Sequence, residues 1–280
     1  MFLGEAIRLA RFFENGNAVV VAMDHGQAMG PVQGLEDFHA SALAFREADA
    51  ILLNSGMLRR ALPLEIKHGE ISARGKMPKI ICRLNWSSNY LFQWGYKEGY
   101  NRQVVTVDEA VALGADLVLG SLFIRTASEE IDMHNVEHFG RMVSQKRRLG
   151  IPMVAEIYPS HQPGSEDFHE LVNVSARMAA EMGADLIKTF YTGAKFGEIV
   201  KGCPIPILAL GAEKTPKEVD ALRRAYDAVQ AGARGVVFGR NVFQAKDPGK
   251  FIEALARCVK KGEEPSKVAR EMGLDGGKTT

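Results

Sequence analysis

The chain has 280 residues, of which 46% are hydrophobic and 25% are charged, an ordinary mixture for a globular domain with a large core. A net charge of +1 and the lack of any apolar run near the ~18 residues that cross a bilayer argue against nucleic-acid and membrane partners. The three cysteines form no CxxC pair, which disfavours a zinc ribbon or a disulfide framework and favours a reducing, cytoplasmic setting.

Residues 1–17 are predicted to contain an N-terminal helix, because charged residues recur there at helical spacing without the long apolar stretch of a signal peptide. Eight apolar runs follow, each predicted to be a buried strand. They start near residues 18, 50, 79, 116, 152, 185, 206 and 235. Continuous rather than alternating apolar runs indicate a parallel sheet covered on both faces. Four of the runs follow similar small-residue turns, such as Gly183-Ala184-Asp185, which indicates a weak internal repeat.

Helical patterns separate most of these runs. They cover residues 34–46, 107–113, 134–149, 168–182, 216–231 and 248–261, with a short helix at 196–201. Eight βα units in fewer than 300 residues predict an α/β fold, a single (β/α)8 TIM barrel over residues 1–280, with a terminal helix and tail at 262–280. A doubly wound open sheet is the alternative, and it is disfavoured because no GxGxxG follows the first strand.

Candidate reactive groups follow the predicted strands, where active sites of barrels lie. Lys188 ends the sixth apolar run, a place where a lysine rarely occurs without a role. Desolvation inside a barrel disfavours the ammonium form, and a neutral amine can attack a ketone to form a Schiff base. A lysine that reaches solvent or pairs with a structural carboxylate is the alternative. Asp24 and Tyr158, after two other strands, are candidate proton-transfer groups, with turn and packing roles as their alternatives.

Two pairs of residues predict a phosphate site. Gly211 and Ala212 follow the seventh strand, and Gly239 and Arg240 follow the eighth. Barrels frequently bind phosphate at these positions through backbone N–H groups, and an arginine adds a charged fork. Each pair taken singly is equally typical of a tight turn, but the two together favour a bound phosphate group.

Five short motifs occur in a fixed order between roughly residues 18 and 258. They are Asp24-His25-Gly26, Tyr158-Pro159, Ile187-Lys188-Thr189, Val200-Lys201-Gly202-Cys203-Pro204 and Gly239-Arg240-Asn241-Val242-Phe243-Gln244. In these motifs the chain resembles the archaeal-type class I fructose-bisphosphate aldolases. That family also includes 2-amino-3,7-dideoxy-D-threo-hept-6-ulosonate synthase and the autoinducer-2 phosphate thiolase.

The resemblance implies a role for each matching residue. It implies that Lys188 is the Schiff-base lysine, Tyr158 the proton donor and Asp24 the acidic proton acceptor. It further implies a phosphorylated sugar substrate, no metal, no cofactor, and assembly into a homo-oligomeric ring, often a decamer. The predicted substrate- and phosphate-binding residues are Gly211, Ala212, Gly239, Arg240, His25, Ser160 and Thr189.

Two positions depart from the family pattern. Ala212 stands where the family usually has a second glycine, and its methyl group is expected to restrict φ and crowd the phosphate. Ser160 stands where the heptulosonate-forming relatives often carry arginine, which argues against a direct transfer of their substrate. The loop at 85–100 contains Trp86 and Trp94, and it is predicted to be either a lid or substrate wall, or an aromatic subunit contact.

The predicted function is therefore a metal-independent aldolase or transaldolase acting on a phosphorylated ketose or analogue. Thiolysis of a phosphorylated diketone and heptulosonate-type transfer are close alternatives. A metal-dependent lyase is a remote one: His134 and His138 stand at i, i+4, with His161 and His169 elsewhere, but a helix on the outer ring favours solvated histidines. A non-enzymatic sugar-phosphate sensor would need neither the lysine nor the tyrosine.

Overall fold

A closed barrel of eight parallel strands forms the centre of the molecule, and the strands follow one another around it in chain order. The computed structural model describes residues 2–61, 64–67, 70–73, 77–88, 95–96, 98–158 and 167–274. The barrel strands are β1 (Ala18–Ala22), β2 (Ala50–Asn54), β5 (Lys79–Arg83), β8 (Leu117–Leu122), β9 (Met153–Ile157), β10 (Leu186–Phe190), β11 (Ile207–Leu210) and β12 (Gly235–Phe238). Each predicted start lies within a residue of the observed one, and the (β/α)8 barrel is confirmed.

Helices surround the barrel, and two short hairpins extend from it. The helices are α1 (Leu3–Phe12), α2 (Gly26–Met29), α3 (Phe38–Ala44), α4 (Leu58–Ala61), α5 (Val107–Ala112), α6 (Glu129–Leu149), α7 (Phe168–Met182), α8 (Phe196–Gly202), α9 (Glu218–Gln230), α10 (Arg240–Phe243), α11 (Pro248–Lys261) and α12 (Pro265–Met272). The antiparallel hairpins pair β3 (Leu64–Lys67) with β4 (Glu70–Ala73), and β6 (Asn85–Ser87) with β7 (Asn101–Gln103). None of the described helices combines the length and the apolar character needed to cross a bilayer.

Capping residues explain where helices differ from the predicted ranges. The helix predicted at 134–149 begins earlier, because the hydroxyl of Ser128 accepts a hydrogen bond from the backbone N of Ile131 at 3.4 Å. The helix predicted at 34–46 is shorter, since Asp37 caps α3 in the same way. Both boundaries follow from a side chain that satisfies a free N–H group of the first helical turn.

Side chains of the barrel strands alternate between the interior and the outer layer of helices. The interior cluster contains Ala18, Val20, Ala22, Ala50, Leu52, Ile81, Leu117, Leu119, Val154, Leu186, Leu208 and Val237. Phe12 of α1 joins this cluster with only 2% of its surface exposed, so the N-terminal helix closes one end of the barrel. The other end, where the strands terminate, carries the polar side chains described below.

The aspartates of the internal repeat have a structural role. Each stands just before a barrel strand, and its carboxylate accepts a hydrogen bond from a backbone N–H of the preceding strand. The three pairs, each 2.8 Å apart, are Asp49 with Val19, Asp116 with Ile80 and Asp185 with Met153. The repeat therefore satisfies backbone donors at the N-terminal edge of the sheet, away from the strand ends at which barrel chemistry occurs.

Candidate active site

A layer of polar side chains lies above the apolar interior of the barrel. On each of five strands a polar residue stands two positions after an apolar residue that faces the interior. Because successive side chains of a strand point to opposite faces, the polar residue faces the interior too. These residues are Asn54 on β2, Arg83 on β5, Ser121 on β8, Glu156 on β9 and Lys188 on β10. All of them lie at the C-terminal ends of their strands, the end that carries the active sites of barrels.

Four charged side chains of this layer form one connected network. Lys188 Nζ lies 2.5 Å from Glu156 Oε1, and Arg83 Nη2 lies 2.8 Å from Glu156 Oε2. Arg83 Nε also donates to Asp24 Oδ2 at 2.6 Å. Ser121 Oγ donates to Glu156 Oε2 at 2.8 Å and accepts from Arg83 Nη1 at 3.1 Å. The lysine, both carboxylates and the arginine are therefore held in a row across the mouth of the barrel.

Burial distinguishes this network from a surface ion pair. The side chain of Lys188 is only 8% exposed and that of Glu156 only 3%. Burial raises the pKa of Asp24, but the positive charges of Arg83 and Lys188 outweigh it, so the pKa of this carboxyl is lowered overall. Asp24 is consequently an anion at neutral pH. The structure brings the predicted lysine and the predicted acidic residue into one buried cluster.

Tyr158 follows β9 and lies half-buried beside the network. Its ring packs against Phe190 at a centroid distance of 5.0 Å and against Phe123 at 6.0 Å. Burial is the main reason that its pKa is raised, although the positive charge of Arg240 opposes the shift. The phenol therefore keeps its proton at neutral pH, which suits a proton donor better than an acceptor.

His25 lies between the first strand and the turn after the eighth. Its Nδ1 is 3.7 Å from Asp24 Oδ1, and burial lowers its pKa to about 4 even though the Asp24 charge opposes this. A Cβ atom on Gly239 would lie 2.3 Å from His25 Cε1, so glycine is required for the imidazole to pack there. The side chain is thus a neutral imidazole at the site.

The predicted phosphate pairs lie side by side, joined by a residue that sequence analysis did not single out. Asn241 Nδ2 donates to the carbonyls of Gly211 (3.0 Å) and Glu213 (2.9 Å), and so holds the turn after β11 against the turn after β12. Arg240 Nη2 donates to the Ala212 carbonyl at 3.3 Å, and its Nε is buried without a hydrogen-bond partner among the described residues. A buried guanidinium donor in this position remains available to a ligand.

Ala212 adopts a backbone conformation that ordinarily favours glycine. Its φ angle is +54°, in the left-handed region. An alanine there costs roughly 1–2 kcal/mol relative to right-handed backbone. The restriction of φ that the sequence predicts at Ala212 is therefore present in the structure as a strained turn.

Of the predicted binding residues, Thr189 faces away from the site and Ser160 is not among the described residues. Thr189 is next to Lys188 on β10, but strand alternation turns it outward, where it is fully buried and its hydroxyl donates to the Ile157 carbonyl at 3.4 Å. Its prediction as a substrate contact is wrong for that reason. Ser160, predicted as a contact from the adjoining loop, lies outside the described residues.

The histidines predicted as solvated are packed instead. His138 on α6 is 7% exposed, and His134 stacks on it with an interplanar angle of 3° while its Nε2 lies 3.0 Å from the Asn101 carbonyl. The prediction of solvated side chains was wrong because the β6–β7 hairpin covers this face of α6. Among the described residues, which exclude His161, no group of three or more His, Cys, Asp or Glu side chains is placed to hold a metal ion.

Several residues of the site were not assigned by sequence analysis. Arg83, Glu156 and Ser121 complete the charged row, and Asn241 holds the two turns together. The signal that finds the first three is a polar residue that ends an apolar run, the same signal that found Lys188. For the aromatic loop, Trp86 is half-buried in β6, whereas Trp94 lies outside the described residues.

Comparisons with known proteins show that the chain is similar to aldolases. The model of the DeoC/LacD family aldolases matches residues 18–245. An uncharacterized aldolase of Saccharolobus solfataricus is 33% identical over 267 residues, which are 92% of this chain and 94% of that one. The 3-hydroxy-5-phosphonooxypentane-2,4-dione thiolase of Yersinia pseudotuberculosis is 33% identical over 265 residues, 93% of this chain and 84% of that one.

Solved structures show the same similarity. The crystal structure of an archaeal fructose 1,6-bisphosphate aldolase has a TM-score of 0.76 and 28% identity, covering 91% of this chain and 99% of that one. A Schiff base forming fructose-1,6-bisphosphate aldolase has a TM-score of 0.75 and 28% identity, covering 90% of this chain and 98% of that one.

Proposed function

Because the chain belongs to the DeoC/LacD family of aldolases and is an enzyme of the aldehyde-lyase type, we propose that it makes or breaks a C–C bond in a phosphorylated ketose, or a close analogue, through a Schiff base on Lys188. The observation that carries the proposal is the burial of Lys188 at the C-terminal end of β10, beside Glu156 and within a row of proton-transfer groups. A buried lysine is costly unless it is paired, and at this end of a barrel it can reach a bound carbonyl.

The reaction begins when the neutral amine of Lys188 attacks the ketone carbon. Loss of water gives an iminium, which withdraws electrons from the adjacent carbon. Asp24, an anion at neutral pH, accepts the proton of the neighbouring hydroxyl as the C–C bond breaks and an aldehyde leaves. Tyr158, which holds its proton because burial raises its pKa, protonates the enamine that remains. Hydrolysis of the new iminium releases the second product and the free lysine.

The turns after β11 and β12 hold the substrate phosphate in this proposal. Arg240 Nε, which has no hydrogen-bond partner among the described residues, and the backbone N–H groups of Ala212 and Gly239 supply the donors. The backbone N of Gly211 donates instead to the Val237 carbonyl at 3.1 Å, and Asn241 keeps the two turns together. A grip at the phosphate supplies binding energy away from the reacting carbons and places the carbonyl beside Lys188. Membership of a homo-oligomeric ring remains a prediction.

A thiolase is the second candidate, because one relative at 33% identity is named as a thiolase of a phosphorylated diketone. Such a reaction also starts from a phosphorylated carbonyl compound, so the same lysine and phosphate turns serve both. The two differ in the acceptor: an aldolase releases an aldehyde in water, whereas a thiolase requires a thiol. Turnover that occurs only with coenzyme A present assigns the thiolase activity.

The test is a panel of ketose phosphates, including fructose 1,6-bisphosphate and fructose 1-phosphate, with release of aldehyde as the readout. We expect Lys188→Ala to lower kcat/KM at least about a thousandfold, since the covalent path is lost. Lys195→Ala is the matched control, because Lys195 follows the same strand but is exposed, and we expect a change within about twofold. Full activity of Lys188→Ala contradicts the proposal.

A further inference from the structure

We propose that Asn54 is a specificity-determining residue: its carboxamide oxygen accepts a hydrogen bond from a hydroxyl group on the half of the substrate that leaves as an aldehyde. The enzyme therefore prefers 2-hydroxyaldehydes, in which the carbon next to the aldehyde group carries a hydroxyl, to aldehydes that lack it. The inference rests on the proposed Schiff-base function and deepens it, because it names the class of aldehyde that the site takes.

Asn54 faces the site from the strand opposite to that of Lys188. It ends β2 two residues after Leu52 of the interior cluster, so strand alternation turns its side chain toward the interior. Its register partner on the neighbouring strand is Arg83, which binds Asp24 in the charged row. In the closed ring of eight strands, β2 and β10 are four strands apart in either direction. Asn54 and Lys188 therefore stand on opposite sides of the mouth of the barrel.

A single hydrogen bond fixes the orientation of the Asn54 amide. Its Nδ2 donates to the backbone carbonyl of Asp24 at 2.8 Å. A carbonyl oxygen can only accept, so the atom that faces it must be the nitrogen, because a rotated amide brings two acceptors together. The nitrogen therefore joins the end of β2 to the residue that follows β1, and the oxygen points away from that contact.

The carboxamide oxygen of Asn54 is a buried acceptor. Asn54 Oδ1 is shielded from solvent and accepts no hydrogen bond from any of the described residues. Burying an acceptor without a donor is costly, and such groups in native structures call for an explanation. Arg240 Nε, at the phosphate turns, is a buried donor in the same condition. The mouth of the barrel thus presents a donor at the phosphate turns and an acceptor at β2, and a bound substrate can satisfy both.

An acceptor of this kind selects a ligand group that donates. An amide oxygen gains nothing from a carbonyl or an ether, whereas a hydroxyl donates to it readily. In the proposed reaction Asp24 serves the hydroxyl that becomes the aldehyde group, and Asn54 lies directly beside Asp24. A ketose held by its phosphate after β11 and β12, with its carbonyl at Lys188, extends its remaining carbons across the mouth toward β2. The hydroxyl one carbon beyond that served by Asp24 then meets Asn54 Oδ1, and it belongs to carbon 2 of the departing aldehyde.

The experiment runs the reaction in the direction of C–C bond formation. Dihydroxyacetone phosphate is supplied with propanal or with either enantiomer of 2-hydroxypropanal, which has the same carbon skeleton and one added hydroxyl. The ketose phosphate formed is measured by mass spectrometry. We expect wild-type kcat/KM to be about tenfold higher for the better hydroxyaldehyde than for propanal, the scale of one hydrogen bond to a buried neutral group.

The decisive quantity is this preference, the ratio of the two kcat/KM values, in Asn54→Ala. We expect the ratio to fall about tenfold, because the acceptor is removed while the phosphate turns and Lys188 remain. The two aldehydes also differ in intrinsic reactivity, but that difference is the same for both proteins. The change in the ratio therefore isolates the contribution of Asn54.

Asn17→Ala is the matched control. The Nδ2 of Asn17 also donates to a backbone carbonyl, that of Val259 at 3.1 Å, but Asn17 stands just before β1, at the opposite end of the barrel. We expect its preference to stay within about twofold of the wild type. A purely structural role for Asn54 predicts the same of Asn54→Ala: lower activity with every aldehyde and an unchanged ratio.

The outcomes separate this inference from the proposed function. If the wild type condenses dihydroxyacetone phosphate with none of the aldehydes, the proposed function fails and the inference fails with it. If it condenses them and Asn54→Ala keeps the wild-type ratio, only the role of Asn54 is overturned, and a water then pairs with Oδ1. Should Asn54→Ala not fold, Asn54→Leu fills the space of the amide without an acceptor, and the same fall in the ratio is expected. Equal wild-type kcat/KM for propanal and both hydroxyaldehydes contradicts the inference without any variant.

Discussion

The meeting of Lys188 with Glu156 is a consequence of strand register. Lys188 is the partner of Glu156 across β9 and β10, and Ser121 is the partner of Glu156 across β8 and β9, so one inward-facing row crosses three strands. A buried ion pair contributes little net stability, because desolvation of both charges offsets most of their attraction. Placing two cations and two anions here is therefore better explained by chemistry than by stability.

A buried histidine makes stability depend on pH. Burial lowers the pKa of His138 to about 4, and its Nε2 has no hydrogen-bond partner among the described residues. Between pH 6.5 and 4 the unfolded chain binds a proton on this residue that the folded chain does not, so stability falls as the pH falls through that window. We expect His138→Asn to reduce the slope of unfolding free energy between pH 6 and 4.5 by about 1.4 kcal/mol per pH unit.

The measurement is urea denaturation at several pH values for the wild type and His138→Asn. The slope is compared rather than the absolute stability, since the substitution can also change packing. His25 stays in both proteins and contributes a similar slope, because burial lowers its pKa to about 4 as well. Identical slopes in the two proteins would rule out the neutral, buried state of His138.

At the scale of elements, the site depends on two adjacent turns. The turn after β11 contains Ala212 at a positive φ of 54°, and Asn241 at the start of α10 spans to that turn. The amide also accepts from the Thr215 backbone N at 2.9 Å, so one side chain satisfies donors and acceptors of the whole turn. Strain at one residue is thus supported by hydrogen bonds from the neighbouring unit.

Replacing this amide by an acid tests the phosphate turns. In Asn241→Asp the carboxylate can still accept from Thr215, but it repels the carbonyls of Gly211 and Glu213 and adds negative charge near the phosphate. The added negative charge and the displaced turns are expected to weaken phosphate binding and raise KM about tenfold, which corresponds to ~1.4 kcal/mol of binding free energy. Steady-state kinetics with a phosphorylated substrate and its unphosphorylated analogue measure this, and an equal KM change for both would contradict a phosphate site.

The sequence predicts the elements well because apolar runs and small-residue turns are local signals. It finds Lys188 because a charge interrupts such a run, and the same signal marks Glu156, although which charges touch depends on the strand register. Thr189 was misplaced because neighbouring strand residues face opposite sides. The packing of His134 was missed because its partner, the Asn101 carbonyl of the β6–β7 hairpin, stands 33 residues earlier in the chain.

At the scale of the whole molecule, α1 closes the barrel at the end opposite to the site. Phe12 packs into the interior cluster, and Glu5 of the same helix lies 2.7 Å from the buried Lys146, which also contacts Asp185 at the base of β10. The helix therefore excludes water from below the polar layer. A dry interior strengthens each electrostatic contact in that layer.

Shortening the side chain of Phe12 tests the closure of the barrel by α1. Phe12→Ala is expected to lower the free energy of unfolding by about 3–5 kcal/mol, because a fully buried ring is replaced by a cavity. Phe2→Ala, at the residue just before the same helix, is the control: its side chain is 57% exposed, and a change within ~0.5 kcal/mol is expected. Urea denaturation measures both, and similar losses in the two variants would contradict the closure of the barrel by α1.

Borohydride reduction followed by peptide mapping tests the central claim most directly. The protein is incubated with each ketose phosphate of the panel, reduced, digested and examined by mass spectrometry. The account predicts one modified peptide, with the reduced substrate on Lys188, and its loss in Lys188→Ala. An adduct on another lysine, or no adduct with any member of a broad panel, contradicts it.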